Sequence, residues 1–182
     1  MIYFEKKGKH NTDDTVRIAI QRAKELKINF IVVASCSGET ALKFSGCGME
    51  VVCVTHQIGF NKPGEDEMDR LIRNKLQQED INVLTTTHLF AGVDRALRYK
   101  FQGIFPAEII SNTLRMFGQG MKVCIEISSM ALDAGLIPYG EEIIAVGGSG
   151  KGADTAMVLT PAHSSYIFDT NVKEILCMPR GH

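Results

Sequence analysis

Two hydrophobic patterns alternate along the chain. Short, nearly continuous apolar runs fall at Asn29–Ala34, Met49–Thr55, Asn82–Thr86 and Glu142–Val146. Runs of this length and continuity suit parallel strands buried on both faces. Between them, apolar residues recur every three or four positions, which is the helical period. The first such segment carries Val16, Ala19, Ile20, Ala23 and Leu26 on one face. Asn11 or Thr12 can cap it, and Asp13 and Asp14 sit in its first turn, where the helix dipole favours carboxylates. A short helix over Gly38–Phe44 is stopped near Gly46 and Gly48. A helix beginning at Glu65 has Met68, Leu71, Ile72 and Leu76 as its apolar stripe, and another covers Gly92–Phe101. Pro106 is placed to open the next helix, lined by Ile109, Ile110, Leu114 and Phe117. A longer helix, Met121–Ala134, turns Val123, Ile127, Met130 and Ala134 inward; Glu126, Ser129 and Asp133 opposite them read as a solvated face.

After Glu142–Val146 the chain runs into a glycine loop, Gly147–Gly152. Ala153–Leu159 is too short for a helix and reads as a strand returning antiparallel. Tyr166–Phe168 and Val172–Met178 are further strand candidates, the second ending at Pro179. Strands alternating with helices predict an α/β fold of three layers, α/β/α, with a mostly parallel sheet and an antiparallel return strand. The 182 residues suit one domain over 1–182, with no linker or repeat.

Composition narrows the functional classes. A formal net charge of −1 offers no basic surface for nucleic acid. No apolar run approaches the ~20 residues of a membrane span, and the N-terminal sequence lacks the pattern of a signal peptide. The five cysteines are odd in number and lack C-x-x-C spacing, which argues against disulfides and a structural zinc; no metal site is expected. A reducing cytoplasm is the expected location. Cys36 stands apart, because a thiol beside a helix N-terminus can become acidic and reactive.

In open α/β sheets, ligands bind beyond the carboxyl ends of the strands. The first run is followed there by Ser35, Cys36, Ser37, Gly38, Glu39 and Thr40. Free N–H groups at a helix start favour an anion, usually phosphate; the simpler alternative is that Ser37 only caps the helix. The second run ends in Thr55 and His56, the third in Thr86, Thr87 and His88, and the fourth in Gly147, Gly148, Ser149 and Gly150. Gly150-Lys151-Gly152 fails the Walker A pattern, and glycines alternating at 148, 150 and 152 fail the dinucleotide fingerprint. A loop whose N–H groups wrap an anion fits, against the alternative of a glycine-rich hairpin connection. His56 and His88 could meet in a cleft or lie on the surface. No metal-ligand spacing or serine nucleophile motif is present.

Ser35-Cys36-Ser37-Gly38-Glu39-Thr40-Ala41 after its apolar run resembles the phosphate-binding turn of the pyruvate kinase C-terminal domain. Val54-Thr55, Ile144-Ala145-Val146-Gly147, Gly150 and Thr155-Ala156-Met157 are similar to later parts of that domain. The resemblance covers about Asn29 to Pro161 and is to the stand-alone archaeal and bacterial members, pyruvate kinase C-terminal domain-like proteins without the catalytic barrel. It implies a phosphate-bearing ligand, with FMN as the specific candidate. The phosphate would take Ser35, Ser37, Gly38 and Thr40, or the Gly147–Gly150 loop; Thr55, His56, Thr86 and Thr87 would meet the flavin ring. Three functions fit: a binding domain for a phosphorylated small molecule, a flavin-dependent enzyme using His56, His88 or Cys36, or a subunit of a homo-oligomer with a vestigial site.

Overall fold

The structure, a computed structural model, describes residues 1–181. One seven-stranded sheet runs in the order β1 (Ile2–Phe4), β7 (Asn171–Pro179), β6 (Thr155–Thr160), β5 (Ile143–Gly147), β2 (Phe30–Ala34), β3 (Glu50–Thr55), β4 (Asn82–Thr85). β5, β2, β3 and β4 are parallel; β6 pairs antiparallel with both β5 and β7, and β1 lies parallel to β7 at the edge. The three-layer α/β arrangement with an antiparallel return strand is the one the sequence predicts.

The continuous apolar runs become strands because both sheet faces are covered. Ile31 and Val33 point to one side and pack with Val16, Ala19 and Ala23 of α1 (Thr12–Leu26), Ala41 of α2 (Glu39–Leu42) and Leu76 of α3 (Arg70–Gln78). Val32, one residue out of phase, points to the other side with Cys124, Ile127 and Ala131 of α6 (Gln119–Asp133). α4 (Gly92–Phe101) and α5 (Pro106–Arg115) lie outside this core; α4 has no fully buried residue and α5 only Ser111.

Several expectations are corrected. β1 carries no readable pattern, since three residues with Ile2 and Tyr3 exposed are placed only by pairing with β7. Tyr166–Phe168 lies in a 3-10 turn, Ser164–Asp169, because Tyr166 and Phe168 have no core to enter. α3 starts five residues later than Glu65: Asp69 caps it, accepting from the Leu71 N–H at 2.7 Å, and Leu71 points to solvent. Ile109 and Phe117 are exposed as well.

The largest correction concerns α6. Asp133 is exposed, but Glu126 and Ser129 are buried, because the outer side of α6 is covered by α5 and by the segment around Phe90. Glu126 forms an ion pair with Lys122 one turn earlier and accepts the Phe90 N–H at 3.0 Å. The Lys122 ammonium lies 5.6 Å from the centre of the Phe90 ring. Burial holds Lys122 below the usual lysine range, against the opposing pull of Glu126.

The N-terminal segment is tied to the glycine loop through a buried carboxylate. Asp154 is fully buried; its Oδ2 accepts from the N–H of Gly8 (2.9 Å) and of Ser149 (3.2 Å). Its Oδ1 accepts from the Thr155 hydroxyl at 2.9 Å. Thr12 Oγ1 accepts from the Ala153 N–H at 3.1 Å and donates to the Lys9 carbonyl at 2.6 Å. On the other side of the loop, α6 approaches the sheet where Gly120 faces Thr155: a Cβ at Gly120 would lie 2.5 Å from the Thr155 Cβ.

Two stability predictions follow from these buried charges. Asp154→Ala leaves two backbone donors unpaired and should cost about 2–4 kcal/mol in a denaturant titration; a loss under about 0.5 kcal/mol, the scatter of surface substitutions, would contradict the tie. Glu126→Gln strands a buried ammonium and should cost about 2–4 kcal/mol, whereas adding Lys122→Met should recover more than half of that loss. Equal losses in the single and double variants would show that the pair is not coupled.

Candidate functional site

β2 sits where the topology reverses. The chain leaves it for β3 and β4 on one side and returns to its other side as β5. The connections after β2 and β5 therefore depart in opposite directions, and a crevice opens between their carboxyl ends. A cleft of about 740 Å³ occupies this position, within the range of small-molecule sites.

Ser35, Cys36, Ser37, Glu39, Thr40, Thr55, His56, Gly148 and Gly150 all line it, as does His88. Gly38, Thr86, Thr87, Gly147 and Ser149 do not. Gly38 is turned beneath the surface with φ 82°, and a Cβ there would lie 2.5 Å from Ile72 Cγ2. Gly147 is enclosed within β5. Ser149 faces a neighbouring hollow of about 240 Å³ with Lys7, Gln119 and Thr155. Thr86 and Thr87 follow an edge strand, one strand further from the crevice.

The turn after β2 is capped from within. The buried Ser35 hydroxyl accepts from the N–H of Thr40 (3.2 Å) and of Ala41 (3.4 Å). Ser35, rather than Ser37, thus satisfies the start of α2, which is a single turn. Glu39 is held by Lys9 at 2.8 Å on the exposed rim. Cys36 is not an acidic thiol: burial pushes it up to about 11, and nearby Glu67 adds to this against the His56 backbone N–H. A helix of one turn has too small a dipole to oppose that burial.

The end of β3 supplies an aromatic wall. His56 stacks on Phe60 with ring centres 3.8 Å apart, and His88 meets it edge-on at 5.1 Å. The Arg95 guanidinium lies 5.4 Å from the Phe60 ring centre. His56 Nδ1 is 2.5 Å from Glu67 Oε2. Burial lowers the His88 pKa; Glu126 opposes this, while His56, Lys122 and Arg95 act in the same direction. Burial thus favours the neutral imidazole at His88.

Lys151 belongs to the glycine loop noted in the sequence, whereas the other cations of the cleft carry no local sequence signal. Lys9, Arg95, Arg115, Lys122 and Lys151 line the cleft. Lys9 and Lys122 are committed to Glu39 and Glu126, but Arg95, Arg115 and Lys151 have no carboxylate partner among the described residues. Arg115 is instead oriented by Gln119 Oε1 at 2.8 Å. These residues come from α4, from α5 and from the loop after β5. Their convergence is set by how the helices and the loop pack, which the apolar periodicity of a helix does not encode.

The model of the family described as "Pyruvate kinase, alpha/beta domain" matches residues 13–159. Among solved structures, a pyruvate kinase from Cryptosporidium parvum is 14% identical with a TM-score of 0.45, over 83% of this chain and 23% of that one. A second structure of that organism's pyruvate kinase is 15% identical with a TM-score of 0.41, over 84% and 23%. A third, in complex with ADP, is 15% identical with a TM-score of 0.42, over 92% and 24%. The chain thus spans about a quarter of the length of the pyruvate kinases it matches. The matched residues run from α1 nearly to the end of β6, taking in the switch point and every strand end that borders the cleft, and the chain belongs to the pyruvate kinase alpha/beta-domain family.

Proposed function

We propose that the cleft binds a phosphorylated small molecule, and that FMN is the specific ligand. The observation that carries this reading is that Arg115 and Lys151, neither with a carboxylate partner among the described residues, stand at the glycine loop of the switch point, with Arg95 likewise unpaired over Phe60 at the other end. Cations without carboxylate partners that line a crevice attract an anion of matching charge. The loop Gly148–Gly152 brings backbone N–H groups and Lys151 to one end of the cleft. The first turn of α6, a helix of fifteen residues, lies against the same end through Gln119, and its dipole adds to the attraction.

This end suits a phosphate better than the turn after β2, where Ser35 already occupies the Thr40 and Ala41 donors. The other end is lined by the rings of His56, Phe60 and His88, an aromatic wall suited to a planar ring, and Thr55 brings a hydroxyl to the same cleft. Bound FMN would supply electron-transfer chemistry; the residues here bind and orient it and limit water around its ring. Binding is preferred to catalysis because Glu39 and Glu126, two of the acids lining the cleft, are held in ion pairs. A reducing, cytoplasmic setting belongs to the same reading, since all five cysteines are free thiols.

Calorimetry with FMN and riboflavin isolates the phosphate. FMN should bind at least about tenfold tighter, a difference of about 1.4 kcal/mol. Arg115→Gln with Lys151→Gln should close that gap and leave riboflavin unaffected. Equal affinities for FMN and riboflavin, or no binding of either, would contradict the reading. A gap closed instead by Ser37→Ala with Thr40→Ala would move the phosphate to the turn after β2.

A further inference from the structure

Three donor groups of different chemistry meet on the wall of the cleft. The Cys36 thiol comes from the turn after β2, the His56 imidazole from the end of β3, and the Glu67 carboxylate from the loop before α3. One sulfur, one nitrogen and one oxygen lie within 4.8 Å of one another. Separations of 20 and 11 residues hide the group from any spacing rule; only the parallel pairing of β2 with β3 brings Cys36 beside His56.

We propose that Cys36, His56 and Glu67 form a binding site for a divalent metal ion of the zinc type. Tetrahedral bonds of about 2.0–2.3 Å place donor atoms roughly 3.3–3.7 Å apart. His56 Nδ1 and Glu67 Oε2, at 2.5 Å, would open slightly around the ion, and the thiol would close. Small side-chain rotations supply both movements, because Glu67 is on a loop and Cys36 is in a turn.

The surroundings already orient two of the three. Asn61 Nδ2 donates to Glu67 Oε1 at 2.5 Å, leaving Oε2 turned toward His56. Phe60 fixes the imidazole plane by stacking on it. Such outer contacts are what set the orientation of metal ligands. The donor set selects among ions: a thiolate and an imidazole favour Zn²⁺, Co²⁺ or Fe²⁺ over Mg²⁺ and Ca²⁺, which take oxygen. On coordination the thiol proton passes to solvent. The fourth position faces the cleft, where a water or a ligand atom completes the shell; three protein ligands with one open position is the arrangement of reactive rather than purely structural zinc. The alternative is a His56–Glu67 ion pair with an uninvolved thiol beside it. The proposal is independent of the phosphate reading, and its test contains neither FMN nor phosphate.

The full chain, stripped of metal and kept reduced with a non-thiol reductant, is titrated with Co²⁺ and followed by absorption. One equivalent should produce a thiolate-to-cobalt charge-transfer band with the visible bands of a tetrahedral site. Zn²⁺ should displace the cobalt and raise the melting temperature, as a ligand specific to the folded state must. Cys36→Ser should abolish the charge-transfer band and weaken binding at least about tenfold, equivalent to 1.4 kcal/mol. Glu67→Gln should weaken binding by a similar factor while keeping the band, and the rise in melting temperature on adding Zn²⁺ should shrink with it. Absence of the band in the unsubstituted protein, or affinity unchanged in both variants, would overturn the site. Should Cys36→Ser fail to fold, the band and Glu67→Gln decide between the two accounts.

Discussion

The parallel pairing of β2 with β3 on one side and β5 on the other is the constraint on which the cleft depends. It buries Ile31, Val32 and Val33 completely, and it makes the chain leave β2 in one direction and return from β5 in the other. The crevice at the carboxyl ends follows from that reversal. The turn after β2, the end of β3, the loop after β5 and the first turn of α6 border the reversal and carry most of the cleft's groups, while Arg95, Arg115 and Glu67 reach it from α4, α5 and the loop before α3. Weakening the central pairing would dissolve the anion end and the donor cluster together, because neither is built within one segment.

The edges of the cleft are set by a few buried polar groups. Asp154 ties the glycine loop to Gly8, and Thr12 ties its far end to the N-terminal segment. Lys122 and Glu126 neutralise each other within α6 while Glu126 holds the Phe90 backbone. Buried charges are tolerated because each is met by an opposite charge or by several donors. With Lys122 and Lys9 neutralised, the cations lining the cleft that have no carboxylate partner among the described residues are Arg95, Arg115 and Lys151.

The sheet was legible in the sequence wherever a strand is buried on both faces. Phe30–Ala34, Glu50–Thr55 and Ile143–Gly147 announce themselves as continuous apolar runs. β1 did not, because an edge strand of three exposed residues gains its place from β7 alone. The face of α6 bearing Glu126 and Ser129 read as solvated because periodicity reports polarity, not what packs against it. At the cleft, residues immediately after strands were found by rule, as with Ser35, Thr55, His56 and Gly148. Arg95, Arg115 and Glu67 were not, since they arrive from helices and loops whose approach is fixed by tertiary packing. The family match over residues 13–159 takes in the strand ends, the cations and the donor cluster alike.

The central claim is that a phosphate-bearing ligand sits on the glycine loop at the switch point. The most direct measurement is a titration of isotope-labelled protein with FMN, following the backbone amide resonances. The account predicts saturable shifts that are largest at Gly148, Gly150, Lys151 and Gly152, with the ring-proximal changes at His56 and Phe60. Shifts confined to residues outside the cleft, or none at saturating FMN, would contradict it.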